Sequence, residues 1–295
     1  MTTVLTLVAD PSDLSSFSSI VNAAEARLCE LGATNLKMKW LKKDHAVDLA
    51  FEGTVTSEDL DKTIRAADYC LQSAENRKKM LLLADMDSTI ITVECIDELA
   101  GFADIKDAVS EITERAMRGE LDFDEAFRSR VAMLKGLKEN VLNTAFEERV
   151  KLTGGARTLI QTIKANGAYT ALVSGGFTYF TSRVCDLVGF DMQEANELLF
   201  EDGALTGLAA EPILNSQAKL KNLNRLLEEK GLKRIQSVAI GDGANDIPMI
   251  EAAGLGVSFH AKPAAEATAD ASIRYGDLTV LLYFQGYSEN EFVTD

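Results

Sequence analysis

Hydrophobic and polar positions change their period along this chain, and the changes divide it. In the first 77 residues, short apolar or alternating runs at 4–9, 36–41 and 46–51 predict strands. Helical spacing runs from Leu14 to Leu31, opened by the capping residues Ser12 and Asp13, and again from Ser57 to Leu71. With a turn at 42–44, the order β-α-β-β-α begins a small ferredoxin-like α+β unit, a fold type that hosts many functions and proves none. Polar residues 72–79 (QSAENRKK) then read as the linker into a second domain, 78–295.

From residue 80 the pattern alternates between buried strands and helices. Apolar runs at 80–84, 169–173, 238–240, 256–259 and 271–274 are each followed by helical spacing, which predicts a parallel sheet with right-handed crossovers. One interval departs from this. Between Thr92 and Thr153 there is helical periodicity without strand signal, at 105–118, 123–134 and 139–149, far more than a crossover needs. An inserted helical lid or cap at about 92–153 is the expectation. A second insertion at 196–208 carries Asp202-Gly203 between short apolar runs and predicts a β-hairpin.

Four polar constellations punctuate this frame. Asp85-Met86-Asp87-Ser88-Thr89 follows the run Leu81–Ala84 and puts two carboxylates where open α/β sheets bind ligands. Buried together, they need a cation or a shared proton. A carboxylate can attack phosphorus while a protonated neighbour serves the leaving group; a plain helix N-cap explains the same five residues about as well. Val173-Ser174-Gly175-Gly176-Phe177 ends another strand and offers N–H groups to an anion, although alone it reads as a tight strand-to-helix turn. Gly241-Asp242-Gly243-Ala244-Asn245-Asp246 ends a third strand and is too rich in acid for a plain turn or N-cap, which favours oxygen ligands for Mg2+. Lys219, in the helical stretch 216–230, is the candidate point charge for a phosphate if that helix starts at the same edge. Three of the four sit at carboxyl ends of strands of one parallel sheet and would converge.

Composition narrows the partners. With 30 Lys+Arg against 46 Asp+Glu, the formal net charge is -16, and no basic block exists to engage nucleic acid. A small anion remains compatible, provided that a divalent cation and placed bases make the site locally positive. Apolar runs are too short to cross a membrane, Met1-Thr2-Thr3 starts no signal peptide, and Cys29, Cys70, Cys95 and Cys185 form no paired spacing. The expectation is a soluble cytoplasmic protein without zinc.

These motifs carry a resemblance. D-x-D-x-T at Asp85–Thr89, hydrophobic-S-G-G at Val173–Gly176, Lys219, and G-D-G-x-N-D with Asp242, Asn245 and Asp246 occur in order over residues 80–295. The chain resembles the haloacid dehalogenase superfamily of aspartate-nucleophile phosphatases. Within it, Glu94, the segment Phe127-Arg128-Ser129-Arg130-Val131, the hairpin 195–207 and His260-Ala261-Lys262-Pro263 are similar to the phosphoserine phosphatase family, some of whose members have Cys in place of His260.

The resemblance implies an α/β Rossmann-like core with a helical cap, and an aspartyl-phosphate mechanism. Asp85 would be the nucleophile and Asp87 the proton donor and acceptor. Mg2+ would be held by Asp85, the Asp87 main-chain carbonyl and Asp242, with Asp246 in support. Ser174, the Gly175 N–H and Lys219 would carry the charge of the phosphoryl group, and Asn245 would contact substrate or phosphate at the same edge. Glu94 would take the ammonium of O-phosphoserine and Arg130 its carboxylate. Without the resemblance, Glu94 reads as a capping acid and Arg130 as a solvated helix residue. Met117 and Phe123 could line the lid, though core packing of the cap is the simpler account, and His45 and His260 read as structural. The N-terminal unit is similar to amino-acid-binding ACT domains, which leaves an allosteric site and a homodimer interface open. Two other activities stay open: transfer of the phosphoryl group to an alcohol such as homoserine, and amino-acid sensing by a chain with a vestigial catalytic domain.

Overall fold

A computed structural model of the chain describes residues 2–117 and 120–294. The N-terminal unit contains β1 (Thr2–Ala9), α1 (Phe17–Glu30), β2 (Thr34–Lys42), β3 (Ala46–Glu52), α2 (Ser57–Leu60) and β4 (Ala67–Ser73). Here the sequence reading needs correction. The helix expected from Ser57 to Leu71 is a single turn, at whose start the Asp59 carboxylate accepts the Thr56 N–H (2.9 Å) and hydroxyl (2.7 Å), and the chain then reverses into β4. That strand pairs antiparallel with β1 from Thr3↔Ser73 to Ala9↔Ala67, so residues that fit a helical face satisfy their backbone groups across a sheet instead. The strand order β2-β3-β1-β4 completes a ferredoxin-like unit.

The second part begins with β5 (Leu81–Ala84). Its residues are fully buried, Leu82 and Ala84 toward one core cluster and Leu81 and Leu83 toward another. Side chains alternate across a strand, so a continuous apolar run has two covered faces. Each leucine buried this way stabilises the fold by about 1.5–3 kcal/mol. Four cap helices follow: α3 (Cys95–Phe102), α4 (Lys106–Met117), α5 (Phe123–Met133) and α6 (Glu139–Arg149). The chain returns through α7 (Ala156–Ala165), β6 (Tyr169–Phe177), α8 (Thr178–Val188) and β7 (Met192–Asn196). The predicted hairpin is β8 (Leu198–Glu201) and β9 (Ala204–Ala209), turned by Asp202 and Gly203 at φ +50° and +71°. Then come α9 (Ser216–Glu229), β10 (Ser237–Gly241), α10 (Ile247–Ala252), β11 (Gly256–Phe259), α11 (Pro263–Glu266), β12 (Ala271–Ile273) and α12 (Val280–Phe284).

Strands β12-β11-β10-β5-β6-β7 run parallel and in that order. Helices α7, α8 and α12 contribute to the core on one face, α9 and α10 to the core on the other. The cap leaves and rejoins this layer through two crossing segments, joined by Thr92 N–H to Lys151 O (3.0 Å) and Thr153 N–H to Ile90 O (2.9 Å). The hairpin is fastened to the cap in turn, Gly136 N–H donating to Leu205 O at 2.8 Å. Among the described residues, no helix is long and apolar enough to cross a membrane.

The segment expected to be a linker is instead pinned. β4 joins β12 antiparallel at Tyr69↔Ser272, which makes one sheet of the two parts. Arg77 forms a two-pronged ion pair with Asp48 of β3 at 2.7 and 2.9 Å, and its guanidinium also reaches Thr6 Oγ1 (2.8 Å) and Phe284 O (3.3 Å). The pair is nearly buried, at 12% and 8% side-chain exposure. Arg77→Ala would strand the Asp48 carboxylate, so we expect a loss of roughly 3–5 kcal/mol in urea denaturation. Pairing the change with Asp48→Leu should recover most of it, and an unaffected midpoint in the single variant would contradict this account.

Candidate active site

The three strand ends of the central sheet meet as the topology requires. β5 lies between β10 and β6, so Asp85, Asp242 and Ser174 stand on neighbouring strands at one edge. Asp85 continues the sheet by donating its N–H to Ile240 O at 3.0 Å. The chain then makes a wide turn over Met86–Ile90, closed by Ile91 N–H to Met86 O, with Ser88 in the left-handed region at φ +55°. This turn aims Asp85 and Asp87 in different directions. Asp87 turns to the start of α3, where Oδ1 accepts the Cys95 N–H at 2.9 Å, and to Ser174, whose hydroxyl donates to Oδ2 at 3.3 Å. The helix-cap reading thus describes part of what Asp87 does.

Lys219 Nζ is fully buried behind Asp85, 2.5 Å from Asp85 Oδ1 and 2.6 Å from Asp246 Oδ1. Its place follows from the start of α9: Asn215 Oδ1 accepts the Gln217 and Ala218 N–H groups. The buried side chain of Asn196 ties that start to the β6 loop, donating to Gly175 O (2.9 Å) and accepting from Leu214 N–H (2.7 Å). Asp246 Oδ2 accepts the Gly243 and Asp242 N–H groups at 3.1 and 3.2 Å and shapes the loop that carries Asp242. Two glycines are required by these close approaches. A Cβ on Gly241 would collide with the Asp246 carboxylate, and one on Gly176 would lie 2.7 Å from Asp87 Oδ2.

Carboxylate oxygens of Asp85, Asp242 and Asp246 lie within 4.8 Å of one another. Burial and then the Asp246 carboxylate push the Asp85 carboxyl upward against the pull of Lys219. Burial, Asp246 and Glu94 raise Asp242 to about 7, and burial followed by Glu94 raises Asp87 to about 6. Burial would lower Lys219, but the carboxylates of Asp246 and Asp85 outweigh it and hold the ammonium above its usual range. One ammonium therefore faces four acids. Asp85 Oδ2 and the Asp242 carboxylate have no hydrogen-bond donor among the described residues. Hard oxygen donors short of positive charge suit a divalent cation, so this cluster could hold a metal ion.

Above the cluster is a cavity of about 450 Å³, lined by Asp85, Asp87, Glu94, Arg130, Ser174, Gly175, Asp242 and Asn245. Every residue singled out in the sequence for catalysis, substrate or metal lines it, except the two buried beneath Asp85, Lys219 and Asp246. Glu94 accepts a hydrogen bond from Ser88 Oγ at 2.7 Å, and its side chain forms no helix-capping bond. Arg130 is part-buried; its guanidinium donates to Ala126 O at 3.3 Å and forms no ion pair among the described residues. Phe123, for which core packing is the simpler account in sequence, packs against the core and also lines the cavity, while the side chain of Met117 lies outside the described residues. Sequence reasoning missed Ile96, Asp97, Thr113, Phe127 and Lys262 as lining residues, and Asn196 as the tie between the Gly175 loop and the start of α9. The cap residues among them gave no signal beyond helical spacing.

Comparisons with known proteins point to one family. A model of the haloacid dehalogenase-like hydrolase family matches residues 82–251. A phosphoserine phosphatase from Haemophilus influenzae is 48% identical over 202 residues, 68% of this chain and 64% of that protein, so the match spans less than two thirds of the relative. The unliganded structure of a probable phosphoserine phosphatase from Vibrio cholerae superposes over 98% of this chain and 88% of that one, with a TM-score of 0.76 and 32% identity. A substrate-bound phosphoserine phosphatase complex matches over 70% of this chain and 98% of its own, with a TM-score of 0.66 and 38% identity.

Proposed function

The chain belongs to the haloacid dehalogenase-like hydrolase family, and on that premise we propose that it is a Mg2+-dependent phosphoserine phosphatase, releasing L-serine and phosphate from O-phospho-L-serine. The observation that carries this reading is the pairing of ends in one cavity. Its floor presents Asp85 and Asp87, and its cap side presents Glu94 and Arg130. A zwitterionic amino acid esterified to phosphate needs those four groups.

Asp85 attacks phosphorus, and the bond to the seryl oxygen breaks as that oxygen takes the proton of Asp87. Asp87 suits this role because burial and Glu94 keep its carboxyl near 6, above an ordinary aspartate, so it retains a proton closer to neutrality. Once ionised, Asp87 takes a proton from the water that attacks the aspartyl phosphate, which frees phosphate and restores Asp85. Lys219 holds Asp85 in place and offsets charge on the transferring group, with the Ser174 hydroxyl and the Gly175 N–H beside it. Asn245 contacts the phosphoryl group at the same edge. Asp85, the Asp87 main-chain carbonyl and Asp242, with Asp246 in support, would hold Mg2+, which would supply further positive charge there. Glu94 receives the substrate ammonium and the Arg130 fork its carboxylate.

The test is a substrate panel read in the wild type and in Arg130→Met. The wild type should prefer O-phospho-L-serine over phosphoethanolamine, which lacks the carboxylate. Loss of a charge-assisted pair is worth about 1.5–3 kcal/mol, so Arg130→Met should lower kcat/KM for phosphoserine by roughly 10–150-fold and leave phosphoethanolamine nearly unchanged. Equal turnover of both esters by the wild type would overturn the substrate assignment. Faster transfer to added homoserine than to water would replace the hydrolase by a phosphotransferase.

A further inference from the structure

The cavity poses an electrostatic difficulty for the substrate it is proposed to take. Its lining acids are Asp85, Asp87, Glu94, Asp97 and Asp242, on a chain of net charge -16. Such a field repels a phosphate dianion before any local contact forms, and a divalent cation held by Asp85 and Asp242 would offset only two of the five lining charges. Lys219 cannot relieve this at the entrance, because it is buried and already held by Asp85 and Asp246. Arg130 is engaged at the cap end, on the reading above, by the substrate carboxylate.

The remaining lining cation is Lys262. It is solvent-exposed, beside Gly243, Ala244 and Asn245, and its ammonium has no ion-pair partner among the described residues. Its backbone, by contrast, is firmly set. The Lys262 N–H donates to Asp242 O at 3.0 Å, and its carbonyl accepts from Ala265 and Glu266 N–H at 3.0 and 3.1 Å. Just before it, His260 N–H donates to Ile273 O at 2.8 Å, and a ring nitrogen of His260 lies 2.8 Å from Gly276 O. A fixed backbone carrying an exposed charge at the rim, near enough to pull the Asp242 carboxyl downward, is an arrangement that attracts without binding tightly.

We propose that Lys262 is a positioning residue that draws the phosphate end of the substrate into the cavity, acting on capture rather than on the chemical step. The inference rests on the reading of the cavity as a phosphomonoester site. Steady-state kinetics on O-phosphoserine, at about 20 mM and about 500 mM salt, would compare wild type, Lys262→Gln and Lys262→Arg. A surface charge at a cleft changes capture by tenfold or more, and its reach shrinks from roughly 20 Å to a few ångströms between those salts. Lys262→Gln should therefore lose about tenfold in kcat/KM at low salt, keep kcat within about twofold, and approach wild type at high salt. Lys262→Arg should restore the low-salt value. Equilibrium binding of inorganic phosphate, which needs no turnover, should weaken in Lys262→Gln in the same salt-dependent way.

An unchanged kcat/KM and unchanged phosphate binding at low salt would overturn the role. So would a fall in kcat equal to the fall in kcat/KM at both salts, which would mark Lys262 as a support for the Asp242 loop. If the wild type hydrolyses no phosphomonoester, the reading of the cavity fails instead, and phosphate binding alone then decides whether Lys262 captures anions.

Discussion

Asp85→Asn should fold normally and turn over no phosphoserine, with kcat reduced by at least about 10⁴-fold, the scale on which removal of a nucleophile is felt. The amide keeps the shape of the carboxyl group and its place at the end of β5, so the sheet loses no packing. What disappears is the oxygen nucleophile. The substitution also replaces one of the two carboxylates around the Lys219 ammonium by a neutral acceptor. Asp246 remains as its counter-charge, and an unfolding midpoint close to wild type is the expected result. Residual activity within about tenfold of wild type would remove Asp85 from the reaction.

Lys219→Met is expected to cost both stability and activity. The ammonium is fully buried between Asp85 and Asp246, and methionine replaces its volume without its charge. Two carboxylates left buried and unpaired should destabilise the fold by roughly 3–5 kcal/mol at neutral pH, and loss of the positive charge behind Asp85 should lower kcat by about 10²–10³-fold or more.

The pH dependence of that stability loss has a definite sign. Without Lys219, nothing opposes the burial and the Asp246 repulsion that already push Asp85 upward. An acid whose folded-state pKa is above its unfolded value binds more protons when folded, so stability falls as pH rises between the two values. The deficit of Lys219→Met should be greatest above the raised folded pKa and shrink as pH falls toward the ordinary aspartate range near ~4. Denaturation midpoints across that range check this. A deficit independent of pH would mean that lost packing, rather than stranded charge, is the cause.

The parts of the site that could be read from the chain are those set by local patterning. Leu81–Ala84 is apolar without interruption because both faces are covered, so the acids after it had to stand at a strand end. The same reasoning placed Ser174 and Asp242. β4 reads as helix because the helical spacing that starts at Ser57 runs on past the single turn it forms, and the cross-strand partners of Ala67–Ser73 lie far away on β1. β7 escaped notice because Met192–Asn196 is largely polar at the sheet edge.

Arg77 and Lys79 look like linker charges in sequence, yet Arg77 meets Asp48 and Lys79 Nζ donates to Ile235 O at 2.9 Å. Their partners are distant in the chain, and only the fold brings them together. The cap wall formed by Ile96, Asp97, Thr113 and Phe127 is likewise a product of how α3, α4 and α5 pack over the sheet. Helical periodicity shows that such helices exist without showing which face looks down on Asp85.

The central claim is that the phosphoryl group passes from the seryl oxygen to one carboxylate oxygen of this chain. Rapid acid quench of the wild-type enzyme turning over O-[32P]phosphoserine, followed by peptide mapping, tests it directly. The account expects a hydroxylamine-labile label on the peptide that contains Asp85, and no label in Asp85→Asn. Label on any other residue, or turnover without a trapped phosphoryl-enzyme, would contradict it.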